Sequence, residues 1–320
     1  MSNLSRREAL EQLAGEASEN EQLFEKPLTQ WRLALRRFRG RRSGMVGLFM
    51  ITGLVLIAVF APLIAPYHPN EDLIGDEDVR RYQAPCIHLF GCPDDQPQHL
   101  MGIDGNVRDQ FSRVVYGSRV SLQLGFFTVT LALFVGAAIG AIAGYRGGWF
   151  DNIVMRFMDV ILGFPSLLLA IAIVAVLGPG LRNALIAIAI VTMPGYARVM
   201  RAQVLSIKES DYVSASRALG ASPMQILVRR VIPNAMTPLV VLATLGVATA
   251  ILEAAGLSFL GLGAQPPLAE WGSMLASYRN QVFTAPHLVF YPGLAIMITV
   301  LGFNLMGDGL RDALDPTLNR

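Results

Sequence analysis

The feature that most constrains this chain is a series of six long intervals without a charged residue. Asp, Glu, Lys and Arg are absent from residues 43–70, 120–145, 160–181, 183–197, 231–252 and 280–307. A membrane-spanning helix needs about 20 mainly apolar residues to cross a hydrocarbon core of about 30 Å. The composition agrees, because 53% apolar and 16% charged residues are unusual for a soluble protein. The chain is therefore predicted to be an integral membrane protein.

The predicted fold class is an all-α membrane protein with six transmembrane helices. Barrel strands would alternate between apolar and polar residues, whereas "LALFVGAAIGAIAG" and "LLLAIAIVAVLG" are apolar throughout. Small residues in the second span, Gly136, Ala137, Gly140 and Gly144, favour close helix packing. The spans are predicted at about 45–66, 121–144, 158–178, 183–201, 235–256 and 288–308.

The positive charges predict the orientation. Most of the 26 Lys and Arg residues lie in segments that share one side of the membrane, which favours cytoplasmic N- and C-termini. The polar N-terminal residues do not resemble a signal peptide. A basic amphipathic stretch after the tail is interpreted as the positively charged flank that sets the topology, with lipid binding as the alternative.

The predicted parts are a mobile N-terminal tail (1–30), a basic segment with the first span (31–66), an extracytoplasmic loop with a short helix (67–119), a core of five spans (120–310) containing a cytoplasmic loop (206–233), and a C-terminal tail (311–320).

The cytoplasmic loop is predicted to begin with a short amphipathic helix. Tyr212, Ala215 and Leu219 share one face at helical spacing. Gly220 can end this helix in the left-handed conformation that favours glycine.

A second short helix is predicted to follow at once. Ser222 serves as N-cap, Pro223 occupies the first helical position and Gln225 completes a capping box. Pro233 is expected to end the helix. Its apolar positions are Met224, Leu227, Val228 and Val231. The spacing alone fits a docking element for a partner or a loop packed on its own protein, and a DNA-binding helix-turn-helix is less suited to a site between two spans.

The same loop resembles a known motif. "YVSASRALGASPMQILVRRVIPN" is similar to the EAA loop of ABC-importer permeases, which seats in a cleft of the ATPase subunit. Ser214 replaces the acidic residue of that motif and Ser216 its second alanine, so no salt bridge through an EAA glutamate is assigned. The resemblance implies these ATPase-coupling residues: Asp211, Tyr212, Ser214, Ala215, Ser216, Arg217, Gly220, Ala221, Ser222, Pro223, Ile232 and Pro233.

Four further motifs resemble the C-type permease of dipeptide and oligopeptide importers. They are "MGIDGNVRDQFSRVVYGSRVSL", "GFPSLLLAIAIVAVLGPG", "GLSFLGLGAQPPLAEWGSML" and "FNLMGDGLRDALDP". The resemblance runs from Trp31 to Pro316 and implies a type I ABC importer permease in a bacterial inner membrane. The implied cargo is di- or oligopeptides, with glutathione, nickel or another small solute as alternatives. An ion-driven secondary transporter and a polytopic membrane enzyme are remote alternatives, because inverted repeats and catalytic pairs are not evident.

The resemblance also implies the partners. They are a homologous permease, two ABC ATPase subunits, an extracytoplasmic solute-binding protein and the lipid bilayer, with no nucleic acid. The chain has no Gly-Lys-Ser/Thr phosphate loop, since Lys26 precedes Pro27 and Lys208 precedes Glu209. We therefore expect no enzyme activity and no cofactor in this chain, with ATP and Mg²⁺ on the ATPase subunits.

Pathway residues are harder to predict. Glu253 is an ionisable residue inside a predicted span, which marks either a pathway or gate residue or a hydrogen-bonded helix end. Ser258, Phe259 and Trp271, which follow in the same region, are further candidates for the pathway or gate. Trp271, Met274 and Tyr278 suit a partly buried cap over the pathway and a surface for a delivery protein, or an interfacial aromatic anchor.

The extracytoplasmic loop contains both cysteines, in "CIHLFGC". An oxidising compartment favours a disulfide between Cys86 and Cys92, and free thiols are the main alternative. A metal site that adds His88 and His99 matches no established zinc spacing, so no metal is predicted.

Overall fold

The computed structural model describes residues 30–75, 77–93 and 95–314. The predicted N-terminal tail lies outside these residues except for residue 30. The predicted C-terminal tail, 311–320, is partly helical, because the last helix continues to Leu314. Residues 315–320 lie outside the described part of the chain.

The described chain is helical apart from turns, loops and isolated β-bridges. In chain order the α-helices are α1 (Gln30–Gly40), α2 (Arg42–Val59), α3 (Ala61–Ile64), α4 (Gln110–Arg146), α5 (Gly148–Leu162), α6 (Ser166–Leu177), α7 (Leu181–Ile207), α8 (Asp211–Ala218), α9 (Pro223–Ile226), α10 (Ile232–Phe259), α11 (Trp271–Tyr278) and α12 (His287–Leu314). Two 3₁₀ turns occupy His88–Phe90 and Arg279–Gln281, and a π-helical turn, Leu227–Val231, joins α9 to α10.

Five continuous helical segments are long and apolar enough to cross a membrane. They are Arg42–Val59, Gln110–Arg146, Leu181–Ile207, Pro223–Phe259 and His287–Leu314. Each contains or overlaps one predicted span. A sixth span results if the bent pair α5 and α6 is counted as one.

The third predicted span is not the single helix expected over 158–178. It consists of α5 and α6, which meet at 93°. The chain between them reads Gly163, Phe164, Pro165. Proline lacks the N–H that would continue the helix, and it disfavours helical geometry in the residue before it. Pro165 therefore ends one helix and becomes the N-cap residue of the next.

The short extracytoplasmic helix predicted before the second span is not a separate element. It forms the first turns of α4, a single helix of 37 residues. Asp109 caps this helix, because its Oδ2 accepts a hydrogen bond from the Ser112 N–H at 2.7 Å. The helix starts 11 positions before the predicted span.

The helix pair α4 and α7 forms the centre of the fold, and its packing depends on glycine. A Cβ atom on Gly136 would lie 2.5 Å from the Met193 carbonyl oxygen, and one on Gly140 would overlap the Ala197 backbone. The predicted close packing through small residues is therefore confirmed. At α2 and α12, Gly44 approaches Gly309 in the same way.

Candidate functional site

The 206–233 loop joins α7 to α10 and begins with α8. Gly220 has φ +84°, as the predicted left-handed cap requires. The Ala221 N–H donates to the Ser216 carbonyl and the Gly220 N–H to the Arg217 carbonyl. These two bonds form a Schellman motif, which satisfies carbonyls at the helix end. The predicted helix and glycine turn are confirmed.

The second half of the loop starts with the predicted capping box. Ser222 Oγ accepts a hydrogen bond from the Gln225 N–H, and Gln225 Oε1 accepts one from the Ser222 N–H. The predicted end at Pro233 is wrong, because the helix continues through the π-helical turn into α10. The Ile232 N–H donates to the Leu227 carbonyl, five residues earlier. A π turn is wider than an α turn, which relieves the clash that a proline ring causes inside a helix.

The loop rests on a small apolar core. Val213, Ile226, Leu227 and Val231 are buried in a cluster that also contains Met200 and Val204 of α7. Sequence periodicity placed Tyr212, Ala215 and Leu219 on one apolar face, but the structure buries Val213 instead. These contacts anchor the loop to α7.

The exposed surface of the loop is unusually apolar. The exposed fractions of Leu219, Met224, Val228 and Tyr212 are 88%, 68%, 51% and 45%. Large exposed apolar patches mark contact surfaces, since they are costly in water. None of the predicted coupling residues is buried, and they lie along or beside this surface: Asp211, Tyr212, Ser214, Ala215, Ser216, Arg217, Gly220, Ala221, Ser222, Pro223, Ile232 and Pro233.

Charged contacts hold the bundle together next to the loop. Arg201 of α7 makes a two-pronged ion pair with the buried Asp151 of α5, with Nη2 2.6 Å from Oδ2. Lys208 Nζ donates to the Gly144 carbonyl at 3.2 Å. Asp159 of α5 pairs with Arg198 of α7 at 2.8 Å. The base of the loop is thus cross-linked to α5 and α4.

Glu253 lies on α10 at the break between α5 and α6. Its carboxyl group is next to the Ser166 side chain, and its Oε2 is buried without a hydrogen-bond partner among the described residues. Of the other predicted pathway residues, Phe259 is 38% exposed, with the Arg279 guanidinium 5.9 Å from its ring centroid.

Ser258 and Trp271 lie inside the chain. Ser258 Oγ accepts the Ala264 N–H, and Trp271 Nε1 donates to the Val114 carbonyl at 3.0 Å. Met274 and Tyr278 are buried as well. Their burial argues against direct contact of these side chains with lipid or a delivery protein, and the cap over the pathway stays a prediction.

A buried carboxyl group, Glu270, organises this cap and was missed from the sequence. Its side chain is the N-cap of α11, accepting the Gly272 and Ser273 N–H groups at 2.9 and 2.8 Å. Ser121 of α4 and Ser258 of α10 lie beside it. Burial raises the pKa of Glu270, and the backbone hydrogen bonds oppose this shift. A glutamate before a tryptophan carries no distinctive sequence pattern, so only the fold identifies it.

The segments 67–109 and 261–286 form a polar layer at the opposite end of α4 from the 206–233 loop. Cys86 and Cys92 are bonded in a disulfide with Cα atoms 5.4 Å apart, as predicted. His99 is 1% exposed and contacts two carboxylates. Its Nδ1 is 2.9 Å from Asp109 Oδ1, and its Nε2 is 3.1 Å from Glu77 Oε2.

The two carboxylates determine the charge of His99. Both ring nitrogens can donate only in the protonated imidazole. Burial lowers the pKa of His99, but the hydrogen bonds and charges of Asp109 and Glu77 outweigh it and raise the pKa above the ordinary value. Since Asp109 also caps α4, its contact with His99 ties the layer to the start of that helix.

Two family models match the chain. The family described as "Binding-protein-dependent transport system inner membrane component" matches residues 136–320, which is more than half of the chain. The family described as "N-terminal TM domain of oligopeptide transport permease C" matches residues 29–85.

Several curated proteins are similar over most of their length. A dipeptide transport system permease protein, DppC, from Alkalihalophilus pseudofirmus is 47% identical, over 91% of this chain and 91% of that protein. A glutathione transport system permease protein, GsiD, from Escherichia coli is 43% identical over the same shares.

Solved structures show the same fold. A chain of the MetNI methionine ABC transporter in an inward-facing conformation aligns with a TM-score of 0.53 and 21% identity, covering 63% of this chain and 96% of that chain. A second crystal form gives 0.52 and 22%. The likeness establishes an ABC permease fold with several membrane spans. This likeness and the two matching families together show that the chain belongs to the binding-protein-dependent transport system inner membrane components.

Proposed function

We propose that this chain is one of two permease subunits of a bacterial ATP-driven importer for di- or oligopeptides. In this assembly a homologous permease completes the translocation pathway, two ABC ATPase subunits bind inside the cell and a solute-binding protein binds outside. ATP and Mg²⁺ belong to the ATPase subunits. The chain crosses the inner membrane six times, with both termini in the cytoplasm.

The observation that carries this proposal is the exposed apolar surface of the 206–233 loop. Leu219, Met224 and Val228 are exposed on a loop whose other side is packed against α7. A surface that is both rigid and apolar suits a protein partner, because little order is lost on binding. The ATPase subunit is the partner that this family requires at the cytoplasmic side.

The charge distribution supports the orientation. Arg198, Arg201, Lys208, Arg229 and Arg230 lie in or next to the loop. Lys and Arg favour the cytoplasmic side of a bacterial membrane. The disulfide at the other end of α4 fits the oxidising side.

The continuity of the loop with α10 suggests how movement of the ATPase subunits reaches the pathway. Pro223–Phe259 is an unbroken helical segment, and Glu253 lies 20 residues beyond Pro233 along it. Closure of the ATPase subunits would displace the loop and α10 together. We include Glu253 and Phe259 among the pathway residues, since both reach the surface of the chain.

The cargo is inferred from the relatives. The similar proteins are named for dipeptide and glutathione transport, and glutathione is itself a small peptide derivative. A dipeptide importer is the first hypothesis because that relative has the higher identity.

A matched pair of leucines tests the docking surface. Leu219 is 88% exposed on the loop, and Leu89 is 87% exposed in the polar layer. We expect Leu219→Ser to reduce ATPase subunit retention during purification of the complex by at least about tenfold, and Leu89→Ser to leave it unchanged. Equal retention in both variants would contradict the docking role.

Transport is measured in vesicles that contain the complete complex. ATP-dependent uptake of a labelled dipeptide is expected with the native chain and absent with Gly220→Val, because a β-branched side chain is strained at a φ of +84°. Uptake of labelled glutathione without dipeptide uptake would keep the permease role and change the cargo.

A further inference from the structure

The polar layer contains a partly open pocket that the proposed function does not use. Its volume is about 350 Å³, which lies at the lower end of the range for small-molecule sites. The walls come from two distant segments, one around Gly105–Arg113 and the other around Pro266–Tyr278. Tyr82 closes one side, with its ring against Tyr278 at 6.3 Å between centroids.

The charged groups around this pocket do not balance. Arg108 and Arg113 line it, and the remaining lining side chains are uncharged. The carboxylate that faces the two guanidinium groups belongs to Asp104, which is fully buried. Its Oδ2 is 2.8 Å from Arg108 Nη2 and 3.5 Å from Arg113 Nε. Two guanidinium groups thus share one carboxylate, which leaves one positive charge in excess.

The hydrogen-bonding capacity of Asp104 is already used. Its Oδ1 accepts the Asn106 and Arg108 N–H groups, and its Oδ2 accepts Arg108 Nε. Arg113 donates through Nη1 to the Pro69 carbonyl. Arg113 is only 5% exposed, yet its Nε has no hydrogen-bond partner among the described residues. Asp104 Oδ2, 3.5 Å from that Nε, attracts it by charge alone and is shared with Arg108, so the two guanidinium groups stay only partly neutralised.

Neutral hydrogen-bonding groups surround the two arginines. Ser273, Ser277 and the Tyr278 hydroxyl line the pocket together with the backbone of the cap. The Tyr278 hydroxyl already accepts the Gly105 N–H at 3.3 Å, which fixes its position. The hydroxyl hydrogens of Ser273 and Ser277 already donate to backbone carbonyls, so the two guanidinium groups are the charged side-chain donors left for an anion. Guanidinium groups bind carboxylates in a fork-like geometry.

We propose that this pocket binds a single carboxylate group through Arg108 and Arg113. The carboxylate has two natural sources, the free end of a transported peptide and an acidic side chain of the solute-binding protein. The peptide source rests on the proposed function, whereas the site itself rests on the geometry of this chain.

The first experiment measures binding without transport. The complex of this chain with its partner subunits, in lipid nanodiscs and without the solute-binding protein, is titrated calorimetrically with Ala-Ala and with Ala-Ala amide, which lacks the carboxylate. We expect Ala-Ala to bind at least about tenfold more tightly, the size of a lost charge-assisted hydrogen bond. Arg108→Gln should reduce Ala-Ala affinity to that of the amide. Arg80→Gln, an exposed arginine of the same layer, should change neither affinity.

A second arm tests the protein source. The affinity of the unloaded solute-binding protein for the same nanodiscs is measured with native chain and with Arg108→Gln. If Arg108→Gln lowers the affinity of the solute-binding protein by at least about tenfold and leaves the Ala-Ala affinity unchanged, the carboxylate belongs to the binding protein and the site is supported. The proposal is overturned when Arg108→Gln changes neither affinity.

Leu268 provides variants that leave the arginine cluster intact. This residue lines the pocket and is 37% exposed, so substitution there is tolerated more readily than at Arg108. Leu268→Asp places a carboxylate at the pocket wall and should abolish binding in whichever arm showed it, while Leu268→Asn should retain it. Equal affinities of these two variants overturn the proposal even if Arg108→Gln fails to fold. If the native complex takes up no dipeptide in vesicles but still binds Ala-Ala, the proposed transport function is refuted and the carboxylate site is retained.

Discussion

The two ends of the molecule are stabilised in different ways. The 206–233 loop is built from contacts between residues close in sequence, such as the Schellman motif at Gly220 and the capping box at Ser222. The polar layer depends on polar contacts between distant positions, such as the charged pair of His99 with Glu77 and the hydrogen bond from Trp271 to the Val114 carbonyl of α4. The loop leaves Leu219, Met224 and Val228 exposed, whereas the layer buries His99, Asp104 and Glu270.

This difference predicts different responses to mutation. Local caps each contribute about 1 kcal/mol, and their loss affects one turn. Removing one member of a buried charged group leaves its partners uncompensated, which costs several kcal/mol. The layer should therefore be the more sensitive end and the loop the more tolerant one.

The largest effect is expected at Asp104. Asp104→Ala leaves Arg108 and Arg113 without their shared carboxylate, and we expect a loss of about 3–5 kcal/mol in folding free energy. The measurement is thermal unfolding of the detergent-solubilised protein, followed by tryptophan fluorescence. A change below about 1 kcal/mol would remove the distinction between the two ends.

The second effect is a pH dependence confined to the layer. Because the pKa of His99 is raised in the folded state, its contribution is fully present below the ordinary histidine pKa of about 6.5 and is lost as the pH rises through the raised value. A hydrogen bond to a charged group contributes about 1.5–3 kcal/mol. Hydrogen exchange, corrected for intrinsic rates, should accelerate in residues 99–112 between pH 6 and pH 9.

Two histidine variants control this measurement. His99→Gln should abolish the pH dependence, because the titrating group is removed. His68→Gln, at an exposed histidine of the same layer, should preserve it. Equal pH dependence in the 206–233 loop would show that the effect is not specific to the layer.

A smaller effect is expected in the loop. Ser222→Ala removes the side-chain acceptor of the capping box and should cost about 1 kcal/mol locally. Hydrogen exchange should accelerate at residues 224–226 without a shift in global unfolding. Ser222→Asp retains an N-cap acceptor and should behave as the native protein. Global destabilisation by Ser222→Ala would mean that the loop and the bundle unfold as one unit.

The smallest effect is expected for an exposed ion pair. Arg41 Nε lies 3.8 Å from Asp312 Oδ2, and both side chains are 46% exposed. Solvent screens such pairs, so Asp312→Asn should change the folding free energy by less than about 0.5 kcal/mol. This variant is the charge-removing control for Asp104→Ala in the same unfolding assay. A loss comparable to that of Asp104→Ala would show that burial is not what distinguishes the charges.

The local part of the fold was predictable from the sequence for a physical reason. Helix spans and caps depend on residues a few positions apart, so Gly220, Ser222 and Gln225 were placed correctly. Errors arose where a proline had two outcomes. Pro165 breaks a span, whereas Pro233 is accommodated by a π turn, and periodicity does not distinguish these cases.

The polar layer was less predictable because its contacting residues have no regular spacing in the sequence. Glu77, His99 and Asp109 are brought together by irregular chain, and Glu270 meets Ser121 across 149 positions. The sequence showed His99 only as a candidate ligand in an improbable metal site. Its actual partners are carboxylates, which no spacing rule connects to it.

The length of α4 has a consequence for how the protein sits in lipid. At 1.5 Å per residue its 37 residues extend about 55 Å, whereas the 18 residues of α2 extend about 27 Å, close to one hydrocarbon thickness. A change in bilayer thickness can be accommodated at different positions along α4, because both of its ends carry polar groups. In α2, which has no additional length, the same change must be accommodated by helix tilt or by strain. Hydrophobic mismatch should therefore be felt first at the N-terminal span.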